Sequence, residues 1–434
     1  MTAEVITIGD ELLRGEIIDS NKSFLSDRLL SLDIETHFHT SVRDEPADMI
    51  DAFHRAASRA RIVLVSGGLG PTRDDLTAEV LARAFGRKLV LDATALEGIR
   101  AFFRSVGREM TDNNAKQAWF PEGAEVLANP IGTAPGFHLE ERGALFFCMP
   151  GVPRELMRMM DEQVLPRIAK RPGGSAQVVR AALLRTFGMG ESALDATLED
   201  VAREGDVTLG FRTSFPDNYV RPVARATSAA QAEARLAEVC RTIRERLGSI
   251  VYAEGEETLE QVVGRLLRER KRTVAVAESC TGGLIAQKLT DVPGSSEYFL
   301  GGVVAYGNAA KRTLLGVDAA LLARCGAVSE EVARAMAEGA RARFGADLAV
   351  ATTGIAGPGG GTPEKPVGLV HVALADAEHT HADHFVFPLD RLRHRTLTAQ
   401  LALDWMRRSL LSLELAGPTL LRRSGGGNAP GPRS

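Results

Sequence analysis

A chain of 434 residues is longer than one ordinary hydrophobic core can fill, so two to three domains are expected. With 44% hydrophobic and 25% charged residues and a net charge of −4, it reads as a soluble globular protein. It lacks the basic surplus that nucleic acid or an anionic membrane surface attracts. No apolar run approaches the ~20 residues of a membrane span, and MTAEVITIGDELL reads as a first strand rather than a secretory leader.

Residues 3 to about 170 alternate strand and helix patterns. Val5 to Ile8, Ile62 to Val65 and Leu145 to Cys148 read as buried strands; Lys22 to Leu32, Asp75 to Phe85 and Arg154 to Val164 read as helices. Such alternation predicts an open α/β sheet with helices on both faces and a ligand-binding rim at the strand C-terminal ends. Four polar turns fall on that rim: Gly9-Asp10-Glu11, Asp19-Ser20-Asn21, SGGLGPTRDD (Ser66 to Asp75), and the turn from Pro150 to Glu155. Gly67, Gly68 and Gly70 allow a phosphate close to the backbone. Asp74 and Asp75, expected at the next helix start, suit the helix dipole and equally a divalent cation bridging phosphate oxygens.

Arg171-Pro-Gly-Gly-Ser175 punctuates the end of this part. Residues 176 to 252 then give two apolar strands and two amphipathic helices, Arg235 to Leu247 being the clearer. Between Ala176 and Val251 ten basic residues balance ten acidic ones. Ala253 to Glu257 is an acidic boundary, and a second α/β part runs from Thr258 to about Leu415. Its helices are read at Leu259 to Glu269 and Glu330 to Phe344, and its strands at Leu348 to Thr352, Leu369 to Leu374 and Phe385 to Phe387. The segment from Gly417 to Ser434, rich in Gly, Pro, Ser and Arg, is expected to be disordered. The expected domains are thus 1–172, 173–254 and 255–416, followed by a tail at 417–434.

The most informative stretch is TVAVAESCTGGLIA, Thr273 to Ala286. A buried strand ends at Ala277, and Ser279 follows where the chain turns into a helix, without the GxSxG spacing of the α/β-hydrolase elbow. Gly282 and Gly283 let a substrate approach, and N–H groups near Thr281 to Gly283 are expected to hold an oxyanion. Cys280 is the rival nucleophile, since a helix N-terminus lowers a thiol pKa. No His is near in sequence, and Cys148, Cys240, Cys280 and Cys325 are widely spaced without a CxxC, as reduced thiols in a cytoplasmic protein. Partners for Ser279 are sought in GGVVAYGNAAK, where Tyr306 can relay a proton and Lys311 can serve as base. The long loop TTGIAGPGGGTPEKPVG, Thr352 to Gly368, is of a kind that is usually functional, with Thr353 at its mouth. Arg391, Arg393 and Arg395, expected just ahead of the last helix, can supply a guanidinium for a phosphate. His379, His381 and His384 alternate without a carboxylate or cysteine framework and read as an exposed hairpin, not a metal site.

With these residues in view the chain resembles the competence/damage-inducible CinA family from Ala3 to about Leu411. The resemblance is carried by IGDELLRGEIIDSN, SGGLGPTRDDLT, PGVPREL, AESCTGGLIAQKLTDVPGSS, FLGGVVAYGNAAK and TGIAGPGGGTPEKPVG. It implies two α/β domains joined by a small α+β KH-type domain: a molybdopterin-binding-like (MoCF) open sheet first, and a nicotinamide mononucleotide (NMN) deamidase domain last. The deamidase would convert NMN and water to nicotinate mononucleotide and ammonia in pyridine nucleotide recycling. Its residues carry over as Ser279 for the nucleophile, Tyr306 and Lys311 for the activating partners, and Thr281, Gly282, Gly283, Thr353, Gly354 and Arg393 for substrate binding; no cofactor is implied there. For the first domain the resemblance implies metal-dependent hydrolysis of ADP-ribose to AMP and ribose 5-phosphate. The residues concerned are Asp10, Glu11, Asn21, Gly67, Gly68, Gly70, Thr72, Asp74, Asp75 and Glu155, with Asp74 and Asp75 as ligands of a divalent metal ion. Two departures stand out: Asp10 sits where many relatives carry Thr, and PGVPREL replaces a more usual double proline. FGMGES, Phe187 to Ser192, also lacks the GxxG loop that clamps nucleic acid in KH domains, so the neutral middle segment reads as a packing or dimer module. The alternative roles are a pterin-binding protein and a competence- or DNA-damage-associated accessory. A cytoplasmic homodimer acting on small nucleotides, without membrane or nucleic acid partners, is expected.

Overall fold

The computed structural model describes residues 2–170, 178–201 and 206–418. It divides into two compact units, Met1–Arg180 with Arg225–Ala232, and Ala181–Ala224 with Glu233–Ser434. The expected break at Arg171 to Ser175, and the expected tail beyond its first two residues, lie outside the described residues.

In the first unit, strands β1 (Thr2–Ile8), β2 (Glu35–Val42) and β3 (Ile62–Ser66) alternate with helices α1 (Asp10–Leu13), α2 (Ser20–Leu30) and α3 (Pro46–Arg59). There follow α4 (Thr77–Ala84), a ribbon of β4 (Leu89–Leu91) with β5 (Trp119–Pro121), and α5 (Ala93–Ser105) between those two strands. Strands β6 (Glu125–Leu127), β7 (Gly136–Glu141) and β8 (Ala144–Met149) complete the sheet in the order β2-β1-β3-β8-β7-β6. The first four strands in that order run parallel, and β7 and β6 are antiparallel additions. Every residue of β3 and β8 is buried, as expected of parallel strands covered on both faces. One face packs on Phe53, Val80 and Ile99 of α3, α4 and α5. The other packs on Leu25, Leu29, Leu156 and Ile168, from α2, α6 (Pro153–Met159) and α7 (Leu165–Ala169). The registers Thr7 to Ser66 and Ser66 to Met149 bring the chain after β1, β3 and β8 to one rim.

Three helix boundaries differ from the periodicity. Helix α2 starts at Ser20 because Asp19 caps it, its Oδ1 accepting from the Lys22 N–H at 3.2 Å. Helix α4 starts at Thr77, two residues beyond Asp75. The helix expected from Arg154 to Val164 is α6 followed by one π-helical turn, Met160–Val164.

A short strand, β9 (Val178–Ala181), comes next, then β10 (Leu184–Thr186), α8 (Glu191–Leu198), β11 (Val207–Ser214), β12 (Asp217–Ala226), α9 (Ala229–Leu247) and β13 (Val251–Glu254). Strands β11-β12-β10-β13 form an antiparallel sheet, and Leu184, Leu194, Val220 and Ile243 fill the core beneath it. The remaining elements are helices α10 (Leu259–Glu269), α11 (Leu284–Thr290), α12 (Asn308–Leu315), α13 (Ala319–Cys325), α14 (Glu330–Phe344) and α15 (Arg391–Leu410), with strands β14 (Val274–Glu278), β15 (Phe299–Val304), β16 (Leu348–Gly354), β17 (Leu369–Ala375) and β18 (Thr380–Val386). The sheet order is β15-β14-β16-β17-β18, with β14 parallel to both its neighbours. The last strand thus begins five residues before the short Phe385 segment read from the sequence, and places His381 and His384 on an exposed hairpin strand. Leu267, Ile285 and Trp405 cover one face; Leu315, Ala333 and Met336 cover the other. Strand β14 lies between β15 and β16, so its C-terminal end is a topological switch point, where open α/β sheets leave a crevice. No helix among the described residues is long and apolar enough to cross a membrane.

Candidate active sites

Ser279 stands one residue past β14, at that switch point, and its N–H donates to Thr352 O on β16 at 2.9 Å. Lys311 enters from α12 with only 1% of its surface exposed. Its Nζ lies 3.1 Å from Ser279 Oγ, 2.7 Å from Ala305 O and 3.5 Å from Tyr306 O. Desolvation by this burial lowers the Lys311 pKa, opposed only by the nearby Cys280. Two carbonyl oxygens facing the amine leave its lone pair for the serine hydroxyl once the proton is lost. Cys280 is buried, and burial pushes its thiol up to about 12, which removes it as a rival nucleophile.

Tyr306 takes a different place from the one expected. Its ring is 60% exposed and its hydroxyl accepts from Arg391 Nη2 at 2.8 Å; its backbone carbonyl, not its hydroxyl, faces Lys311. The arginines do not precede the helix but lie in the first two turns of α15, where Asp390 caps the Arg393 N–H. Arg391 and Arg395, four apart, share the face toward the site: Arg391 Nη1 donates to Gly357 O at 2.9 Å, and Arg395 Nη2 to Thr281 O at 2.8 Å. Arg393, the expected substrate ligand, lies instead over the Phe215 ring at 5.6 Å, with a largely exposed side chain.

The expected oxyanion donors are also corrected. Glu278, 0% exposed at the end of β14, turns its carboxylate onto the first turn of α11. It accepts from the N–H groups of Gly283 (2.9 Å), Ile285 (3.1 Å) and Ala286 (2.8 Å). The Gly282 N–H goes to Ser279 O. The donors of Gly282 and Gly283 are therefore spent within the turn. Gly283, at φ 96°, is needed for the left-handed entry to the helix. Thr281 is 0% exposed, its hydroxyl paired with Thr352 Oγ1 at 2.7 Å. Thr353 is likewise buried and donates to Ala327 O at 2.7 Å, and Gly354 ends β16 beside it. These threonines shape the site from beneath. The glycine loop after Gly354 is strapped down by Lys365, whose Nζ donates to Cys325 O and Val328 O, both at 2.7 Å.

The first unit has its own rim cleft, of about 400 Å³, lined by Gly9, Glu11, Asp44, Gly67, Gly68, Gly70, Asp74, Asp75 and Glu155 among others. Gly67, at φ 108°, passes so close to β1 that an added Cβ would lie 2.3 Å from Ile8 O. Asp74 and Asp75 sit in the loop ahead of α4, not in its first turn, and both accept from the Thr72 hydroxyl. That bond lowers the Asp74 pKa. Glu155 accepts from Asn129 Nδ2 at 2.6 Å. Asp10 is turned away from the cleft toward Arg14 and Arg43, and its N–H instead holds Asp44 Oδ2 at 2.9 Å. Asn21 lies below, its Nδ2 bridging Ser66 Oγ and Gly151 O, so it braces the rim rather than lining it. Asp44 was not singled out from the sequence. Burial raises its pKa, with the charges of Glu11, Asp10 and Asp74 adding to the effect. Among the described residues no three His, Cys, Asp or Glu side chains form a ready cage for a metal ion. Asp74 and Asp75 on one turn nevertheless fit a hard cation of the magnesium type, which takes one or two carboxylates and completes its shell with water and substrate phosphate.

Two open sheets, each with polar turns at its own rim, and a small antiparallel α+β segment define a multipart α/β protein with a molybdopterin-binding-like first part. Family models match accordingly: the "Probable molybdopterin binding domain" over residues 4–170, the "Damage-inducible protein CinA KH domain" over 182–253, and the "CinA C-terminal domain" over 256–410. The chain is 45% identical to a CinA-like protein of Geobacter sulfurreducens over 95% of its own length and all of that protein. It is 41% identical, over 95% of its length and all of the other, to a CinA-like protein of Dictyoglomus thermophilum. A crystal structure of a competence/damage inducible protein from Agrobacterium tumefaciens matches 35% of this chain and 95% of its own at 43% identity, with a TM-score of 0.34. The chain belongs to the CinA family.

Proposed function

We propose that the second unit is a serine–lysine amidohydrolase that deamidates NMN to nicotinate mononucleotide and ammonia. The observation that carries this reading is the Lys311 amine, 1% exposed and 3.1 Å from Ser279 Oγ. The choice of NMN rests on the family resemblance of the AESCTGG, AYGNAAK and TGIAGPGGG segments. Neutral Lys311 takes the Ser279 proton as Oγ attacks the carboxamide carbon. The tetrahedral intermediate collapses with the C–N bond breaking, and the proton passes from Lys311 to the departing ammonia. Water then attacks the acyl-serine, Lys311 accepting its proton and returning one to Oγ. Arg391 is placed by Tyr306 Oη and Gly357 O to meet an anionic group on the substrate. Purified protein should release ammonia from NMN, and Ser279→Ala should abolish the release; equal release by both proteins would end this reading.

For the first unit the proposed activity is hydrolysis of the ADP-ribose pyrophosphate. The acidic lining of its cleft, where Glu11, Asp44, Asp74, Asp75 and Glu155 converge, supports a site that works with a bound cation. Asp74 and Asp75 would hold a divalent ion, which when bound neutralises pyrophosphate charge and polarises phosphorus toward attack. The backbone at Gly67 and Gly68 admits the phosphates, and Glu155, fixed by Asn129, is positioned to accept a proton from water. AMP formation from ADP-ribose, lost when Asp74 and Asp75 are both changed to Asn, is the test.

A further inference from the structure

Beside the acidic cleft, and sharing with it the Gly68 to Gly70 turn, Asp75 and Gln117, lies a second lobe of about 410 Å³. Each lobe is in the size range of small-ligand pockets. The two differ in chemistry. The second is walled by Leu89, Trp119 and Phe120 from the β4–β5 ribbon, with Glu79 and Asp112 at its edge. Phe120 is 4% exposed and anchors the ribbon in the core, whereas its neighbour Trp119 is 42% exposed. An indole partly open beside a polar cleft offers a flat apolar surface to a ligand. Lys116 lines the second lobe, and its Nζ donates to Thr72 O at 2.9 Å in the loop that bears Asp74 and Asp75.

We propose that this lobe is a base-recognition subsite, in which Trp119 stacks on the adenine of a nucleotide whose pyrophosphate lies over the Gly68 to Gly70 turn. The assignment rests on the nucleotide-pyrophosphate reading of the first unit and adds to it the part of the substrate that confers selectivity. Glu79 and Asp112 bring acceptors to the pocket edge. They favour a base with an exocyclic amine to donate, and disfavour one with a carbonyl in that place. Adenine therefore fits better than hypoxanthine, whose carbonyl would face a carboxylate.

The chain has two tryptophans, and Trp405 is 0% exposed in the other unit, so quenching of indole fluorescence by a ligand reports Trp119. Titration of the full-length protein with AMP should quench saturably; ribose 5-phosphate should not quench, and IMP should bind at least several-fold more weakly. Trp119→Ala should raise KM for ADP-ribose about tenfold or more, in keeping with the usual energy of base–aromatic stacking, and Trp119→Phe should restore most of the loss. Equal quenching by AMP and ribose 5-phosphate, or an unchanged KM in Trp119→Ala while ADP-ribose is being hydrolysed, overturns the subsite. If the wild type fails to hydrolyse ADP-ribose yet AMP quenches and IMP does so weakly, the reaction assigned to the unit falls while the subsite stands.

Discussion

Lys311 owes its chemistry to where α12 places it: a four-carbon stem inside the core and an amine facing two carbonyls and one hydroxyl. Because burial lowers its pKa, the neutral base becomes available below the ordinary lysine value of about 10.4. Ammonia release from NMN should therefore rise with pH along a limb whose midpoint lies below that value, since only the unprotonated amine accepts the serine proton. Lys311→Met, similar in length and apolar, should remove the limb and lower kcat by about a thousandfold or more. A limb that persists unchanged in the variant would mean that another group is the base. Ser279 and Lys311 were legible in the sequence because a strand, a nucleophile and paired glycines fall in one short run, and because GNAAK opens a helix. Asp44 was not. It follows Val42 and Arg43 on a polar connection, and reads as surface charge until the fold sets it beside Glu11 and Asp74.

At the level of elements, the β14-to-α11 turn depends on Glu278. Three backbone donors of a helix start converge on one buried carboxylate, so truncation would strand them without water. Glu278→Ala should cost about 3 kcal/mol, read from the denaturant midpoint, and Glu278→Gln should cost less because its amide oxygen still accepts. Equal losses would show that packing, not the hydrogen bonds, matters there. The sequence displayed Glu278 beside Ser279 without revealing which way it turns, and free N–H groups at the helix start therefore looked ready for a substrate oxyanion. Helix α15 teaches the same point: once Asp390 fixes the start, Arg391 and Arg395 fall on one face and Arg393 on another, a consequence of helical phase that spacing alone leaves open. Its Gln400 also reaches Asp217 at 2.8 Å, where Tyr252 Oη donates from β13 at 3.1 Å and the charges of Lys288 and Glu260 act nearby. Burial pushes the Asp217 carboxyl up to about 6. Below about pH 4 it is protonated in folded and unfolded chains alike; between there and pH 6 only the folded chain keeps the proton, so this group's stabilisation is lost as pH rises through 6. Asp217→Asn should therefore gain stability relative to wild type between pH 4 and pH 8, by at most about 3 kcal/mol. A difference in melting behaviour that stays flat with pH would exclude the titration.

Across the whole molecule, the alternation of buried strands with amphipathic helices was enough to foresee two open sheets, because parallel strands need helical crossovers that leave a long periodic signature. The antiparallel additions were harder to see: β6 and β18 are short or half-exposed, so the apolar run that marks a buried strand is weak in both. Each unit has its own apolar clusters and its own rim, with Asp74 and Asp75 in one and Ser279 with Lys311 in the other. The two proposed reactions make opposite demands. The ADP-ribose pyrophosphate presents two negative charges to an acidic cleft and needs cations to enter it, whereas a carboxamide is neutral and meets a serine activated by an amine. Removal of divalent ions with a chelator should therefore abolish AMP formation from ADP-ribose and spare ammonia release from NMN on the same preparation. Restoring magnesium should recover the first activity. The double change Asp74→Asn with Asp75→Asn should reproduce the chelator's effect in the presence of magnesium, and Ser279→Ala should do the converse, ending ammonia release while AMP formation continues. Loss of both reactions on chelation would contradict two separate centres, since no step assigned to Ser279 or Lys311 draws on a cation held by Asp74 and Asp75.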